Sequence, residues 1–268
     1  MEETKDQAPG MSPVEPEEDV EINHTDKLVG VFSEPGKTFA SIAKSGAVSS
    51  DWIIPIITLI AVSILSIIVL FSNPAIKMQM KQQRDKQMQE LVDQGRITQE
   101  QADQQIENSE KFFSGPFMII TGAISSTILI FIQFFIVSGA FFFAVKFGLK
   151  GEGTYKDAMT AYGLPQYIII IQVIVMVILS LSLGRAFQST SVAAFMNPEK
   201  STIVTFLLGK LDIFSIWFYA VLSIAFAKMF KSQDTVKYFI TIFAIWLGFG
   251  LIFFYIGKAV PFLSFLSR

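Results

Sequence analysis

The chain has 268 residues, 51% of them hydrophobic and 16% charged, with 27 Phe and a mean hydropathy of +0.51; a soluble domain carries about a quarter charged residues, so this is the composition of a membrane protein. With no Cys and a single His, His24, it excludes a disulfide framework, a zinc site, an iron–sulfur cluster, a Cys nucleophile and a His-based triad. The formal net charge of −2 is a sum of opposites: residues 1–26 hold nine acids against Lys5, giving −8, and the remainder holds 20 bases against 14 acids, giving +6.

Residues 1–26 combine that charge with Pro9, Pro13 and Pro16 and few large apolar side chains. They cannot bury enough surface to offset the entropy of ordering and are expected to be a disordered acidic tail. The acidic start is not that of a secretory signal, so the N-terminus is expected to stay on the side where it was made. From Leu28 to Lys44 apolar residues alternate with Ser33, Glu34, Lys37, Ser41 and Lys44. Pro35 suits a first helical turn and Ser33 a cap, which predicts one short amphipathic helix lying at the membrane surface, the alternative being the solvated start of a longer helix.

A membrane-crossing helix needs roughly 20 apolar residues. Five stretches qualify, at 53–71, 117–145, 165–183, 213–227 with ragged ends, and 238–257. Asp51 and Trp52 at the mouth of the first suit a cap and a headgroup-level aromatic, with Pro55 one turn in. Before the fourth stretch, residues 199–209 read as a short helix along the bilayer. Lys210 and Asp212 are expected at the interface, Asp212 capping a span that contains Trp217. The span interiors hold no Asp, Glu, Lys, Arg or His, and Gln133 and Gln172 stand out as the strongly polar groups. Both are expected to act as interhelical hydrogen-bond glue, and an ion pathway is disfavoured.

Five crossings put the termini on opposite sides. In the short loops, six Lys (residues 146–156 and 228–237) face the N-terminal side against Arg185, Lys200 and Lys210 on the other, so the N-terminus is expected to be cytoplasmic.

Between the first two stretches, residues 73–116 are rich in Gln, Lys and Glu. Gly95 is a left-handed helix stop and Thr98 with Gln101 has capping-box spacing, which predicts a helical hairpin. Its apolar residues, including Leu91 and Ile97, are too few for an independent core, so it either closes weakly on itself or packs on something else. Further on, Gly151 and Gly153 are expected to turn the chain, with Thr154 capping a short helix through Asp157. Gly163 should end that helix before Pro165 opens the third span. Asp51, Tyr162 and Asp212 are not expected to share one membrane face. The chain thus divides into the tail 1–26, a first unit 27–72, the hairpin 73–116, spans 2–5 over 117–260, and a C-terminal tail 261–268.

Several landmarks together resemble the Yip1 domain, especially its bacterial members: residues 51–55 (DWIIP), 151–155 (GEGTY), 161–165 (AYGLP) and 211–217 (LDIFSIW). A segment with Ser33, Glu34, Pro35 and Phe39 stands ahead of the five stretches in the same order. The resemblance implies an all-α, non-enzymatic polytopic protein with a cytosolic N-terminus, here in the bacterial inner membrane. Eukaryotic relatives act in Golgi and endoplasmic reticulum traffic, binding prenylated small GTPases and one another. Ile54 stands where their pattern has Gly, and the 73–115 insertion is a further departure from it. For bacterial members the resemblance implies membrane organisation or association with transport machinery.

Two functions are therefore expected to compete. One is a scaffold or adaptor that binds other membrane proteins through the hairpin and loops; the other is an accessory subunit of an exporter or lipid-handling complex. Self-association is a further possibility for the partner surface. No cofactor, metal or nucleic acid is expected.

Overall fold

The computed structural model describes residues 23–113, 116–196 and 202–260, and among these all regular structure is helical. The expected acidic tail up to residue 22, and the C-terminal tail 261–268, lie outside the described residues.

Helical order begins ahead of the expected boundary at 27. The Asn23 side chain accepts the Asp26 N–H at 2.9 Å and caps α1 (His24–Ser33). One amphipathic helix over 28–44 becomes two, because Pro35 disfavours helical backbone in the residue before it: Glu34 sits at φ −140°, ψ 61°. Pro35 is then the first residue of α2 (Pro35–Ser45), and Glu34, not Ser33, occupies the cap position. Ser33 instead donates to the Val29 carbonyl within α1. The elbow is tight: a methyl group on Gly30 would fall 2.1 Å from Thr38 Oγ1. Phe39 and Ile42 of α2 are fully buried against α11 (Ile213–Met229), each side chain contributing about 1.5–3 kcal/mol relative to exposure in water. The pair is therefore docked on the bundle through the face expected to meet lipid.

Among the described residues, four helical stretches are long and apolar enough to cross a membrane. The first is α3 (Ser50–Ser72), with Pro55 inside its second turn. The second is α6 (Pro116–Phe143), which runs on as a π-helical turn over Ala144–Gly148. α7 (Tyr155–Gly163) and α8 (Gln166–Leu183) join across Leu164 and Pro165, whose backbones stay near-helical, and form one 29-residue stretch. The fourth is α12 (Thr235–Ala259). A fifth crossing exists if α10 (Ile203–Lys210) and α11, bent by 63° at Leu211–Asp212, are one span. A short helix α9 (Val192–Met196) precedes that pair.

α11 occupies the centre, touching α2, α7, α8 and α12. α3 and α8 pack along each other, both starting where Gly163 meets Trp52. They end where the Gln79 side chain accepts the Ala186 N–H at 2.7 Å.

The expected hairpin is α4 (Pro74–Asp93) and α5 (Gln99–Phe113), packed on each other. Gly95 lies at φ +67°, and Thr98 and Gln101 exchange both capping-box bonds at 3.2 and 2.9 Å. Between the arms Ala102 is buried while Leu91 and Ile97 are half-buried. Arg84 donates to Ser109 Oγ at 2.7 Å, and Lys81 pairs with Glu110. Ile76 is buried at the base of α4.

Candidate functional site

Two buried polar clusters and one close-packed glycine loop organise the bundle, each joining residues far apart in sequence. The first is at the start of α3. Asp51 does not cap through the helix's own leading N–H groups; its Oδ2 accepts the Val48 N–H at 3.0 Å, and its Oδ1 pairs with Lys27 Nζ at 2.7 Å. The two side chains are 0% and 9% exposed, so the ion pair fastens α1 to α3 inside the protein. Beside it, His24 Nε2 lies 2.7 Å from the Tyr167 hydroxyl of α8, while His24 Nδ1 is buried without a hydrogen-bond partner. Burial holds the His24 pKa below its usual value; the Asp51 charge opposes that shift and the Lys27 charge adds to it. Sequence reasoning missed both Lys27 and His24. Asn23 followed three residues later by Asp26 is the cap signature that would have moved the helix start upstream of them.

The second arrangement is built on Asp212. As expected it caps α11, its Oδ1 accepting the Phe214 and Ser215 N–H groups at 2.9 and 3.2 Å. It is also buried, and its Oδ2 accepts from Gln172 Nε2 and Thr190 Oγ1, both at 2.9 Å. Gln172 is the seventh residue of the 18 in α8, so Asp212 lies beside the body of that helix and not at an exposed interface. An ionisable group is thus enclosed at the break between α10 and α11, where the sequence suggested only a flank. Gln172 is the glue expected of it, but to a carboxylate and a threonine. Gln133 is exposed and makes no hydrogen bond among the described residues. Trp217 packs its ring 5.6 Å from Phe32 of α1.

The third is the glycine loop. Gly151 and Gly153 do not supply the left-handed turn; Lys150 does, at φ 56°. The glycines are needed for space, since a methyl at either would lie 2.8 Å from the Phe230 ring. The Glu152 N–H donates to the Phe230 carbonyl at 3.3 Å and Lys146 Nζ to the Gly153 carbonyl at 3.1 Å. The Thr154–Asp157 capping box forms as expected. Gly163 also serves close approach: a methyl there would stand 2.5 Å from Trp52 Cβ and 2.7 Å from its Cα.

Among α3, α6, α7, α8, α11 and α12 these contacts leave a cavity of about 350 Å³. Its uncharged polar lining is Ser63, Gln133, Tyr162, Gln166, Ser215 and Tyr219, and Phe134, Phe218 and Trp246 form aromatic walls. Tyr162 sits against Phe134 and Phe218 at 5.6 and 5.8 Å between ring centroids, and Tyr219 stacks on Trp246 at 4.5 Å. Asp51 and Tyr162 thus belong to the same end of α3 and α8, and Asp212 to a separate cluster. Pro55 is buried in α3 beside Ile56 of the cavity wall, and Pro165 leads into α8 between Tyr162 and Gln166. No group of three or more His, Cys, Asp or Glu able to hold a metal occurs among the described residues.

A helical bundle with four or five membrane-length stretches and a cavity between them is the architecture of a polytopic membrane protein. The match that names its class covers most of the chain: residues 29–257 fit the Yip1 domain, and the chain belongs to the Yip1 domain family as an integral membrane protein. No curated protein and no solved structure matches it.

Proposed function

We propose that this is a non-enzymatic scaffold or adaptor of the Yip1 type, organising other membrane proteins through the α4–α5 hairpin and the loops. The hairpin carries this reading. It is inserted between two spans, it is tied to the rest at its base through Ile76 and the Gln79–Ala186 bond, and its arms hold each other by polar and ionic contacts. A projecting element with its own closure presents a long polar surface without drawing on the core. We place it in the bacterial inner membrane, and the loop charges support a cytoplasmic N-terminus with the C-terminus opposite; reporter fusions finding 73–115 cytoplasmic would overturn that orientation.

The test is replacement of residues 77–110 by a short Gly-Ser linker, followed by crosslinking and identification of co-purifying membrane proteins. Loss of partners with the bundle still folded supports the adaptor. Partners that persist without the hairpin, and are released by Gln133→Leu on the span surface, support instead an accessory subunit of a transport complex.

A further inference from the structure

The cavity has three properties that together specify what it can hold. Its mouth opens through apolar surface: Gln133, the exposed lining residue of α6, is flanked by Leu129, Ile132 and Ile136 at 63%, 50% and 66% exposure. In a membrane-crossing helix such a face meets lipid, so access is from the bilayer. The lining holds no Asp, Glu, Lys, Arg or His, and without a counter-charge a charged group would not be drawn from the interface into it. Finally, the side chains of Ser63, Gln133, Ser215 and Tyr219 make no hydrogen bonds among the described residues. Gln166, which is buried, bonds only locally, to Tyr162 one turn back: its amide donates to the Tyr162 carbonyl at 3.4 Å and it also interacts with the Tyr162 side chain. Donors and acceptors in a low-dielectric site are costly to leave unmade, and here they converge on one space. At about 350 Å³ that space is at the small end of ligand sites, which run from about 300 to 1,000 Å³. It admits a polar end and its first carbons, not a whole two-chain lipid.

We infer that the cavity binds the uncharged, hydroxyl- or carbonyl-bearing end of a membrane-borne amphiphile, with the tail leaving past Gln133 into the bilayer. Ser63, Ser215, Tyr219 and the amides of Gln133 and Gln166 supply the hydrogen bonds, and Phe134 and Phe218 enclose the group. A neutral glyceride and a lipid quinone share this chemistry. The site is independent of the hairpin and of the adaptor reading.

The test uses the full chain in detergent, with Trp52→Phe and Trp217→Phe leaving Trp246, in the cavity wall, as the one fluorophore. It is titrated with 1,2-dioctanoylglycerol, with decylubiquinone, and with dioctanoyl phosphatidic acid, which has the same chains and a charged end. The expected result is a saturable Trp246 response to at least one neutral probe, with half-saturation at a mole fraction at least tenfold lower than for the phosphatidic acid. Whichever neutral probe binds identifies the source. Tyr219→Phe, which keeps the ring and removes only the hydroxyl, should weaken that binding at least fivefold, and Gln133→Leu at the mouth should do the same. A rise in the thermal unfolding temperature of the wild-type chain with the neutral probe, and not with the phosphatidic acid, gives a second readout if the Trp replacements disturb folding. No saturable response to either neutral probe, an equal response to the phosphatidic acid, or binding unchanged in both variants would overturn the proposal.

Discussion

Replacing Lys27 by Met isolates the ion pair that fastens α1 to the first span. In the wild-type chain the charges are 2.7 Å apart, with side chains 9% and 0% exposed. Met keeps most of the apolar stem and deletes the charge, leaving Asp51 with one hydrogen bond from the Val48 N–H. Stranding one member of a buried pair costs about 3–5 kcal/mol, whereas an exposed pair is worth about 0–1 kcal/mol. At 1.4 kcal/mol per tenfold, the folded-to-unfolded ratio should fall by a factor of at least about a hundred. Adding Asp51→Asn removes the stranded charge, so the double variant should recover most of that loss. The assay is reversible unfolding in mixed micelles, followed by Trp fluorescence, with protease sensitivity across residues 23–45 reporting release of α1 and α2. A single-variant cost under about 1 kcal/mol, the exposed-pair range, would refute the reasoning, as would a double variant that simply sums the two single losses.

The lowered His24 pKa means that the unfolded chain, near 6.5, binds the proton more readily than the folded one. Stability should therefore be complete above about 6.5 and fall as pH drops from there towards the depressed folded value. His24→Gln should flatten that dependence in unfolding curves taken between pH 8 and 5. Gly163→Ala presses a methyl against the Trp52 backbone and should cost about 1–3 kcal/mol in chemical unfolding. Gly36→Ala in α2, whose nearest neighbour would be 4.0 Å away, should be neutral or gain up to about 1 kcal/mol; equal losses at the two sites would contradict the close-approach account. Asp212→Ala removes two capping hydrogen bonds and the acceptor shared by Gln172 and Thr190, which keep only their 3.0 Å bond to each other. A loss of about 2–4 kcal/mol is expected from cap and buried-polar costs together, and hydrogen exchange should rise first in α10 and the start of α11.

What could be read from the sequence was whatever is encoded within a few residues. Gly95, the Thr98–Gln101 and Thr154–Asp157 boxes and the Asp212 cap depend on neighbours two or three positions away, and the apolar stretches declare themselves by length. The site was legible only in fragments. Lys27 meets Asp51 across 24 positions, His24 meets Tyr167 across 143, and Gln172 meets Asp212 across 40. No local periodicity encodes such pairings. The glycine loop misled for the same reason: glycine reads as a turn, but its use against Phe230 is a matter of room, set by a ring 79 residues beyond Gly151 and 77 beyond Gly153. Amphipathicity gave α2 an apolar face without saying what covers it, and α11, not lipid, does so.

The hairpin also sets a distance. Twenty residues of α4 rise about 1.5 Å each, so the turn at Gly95 stands about 30 Å from the base at Pro74. A protein gripping that turn would be held at a fixed stand-off from the spans, as by a ruler. Because seven residues make about two helical turns, adding seven to each arm would move the grip outward by about 10 Å while keeping nearly the same face towards its partner. Adding two would instead rotate that face by roughly half a turn. Stand-off and orientation are thereby separately adjustable in a segment that the bundle itself barely touches.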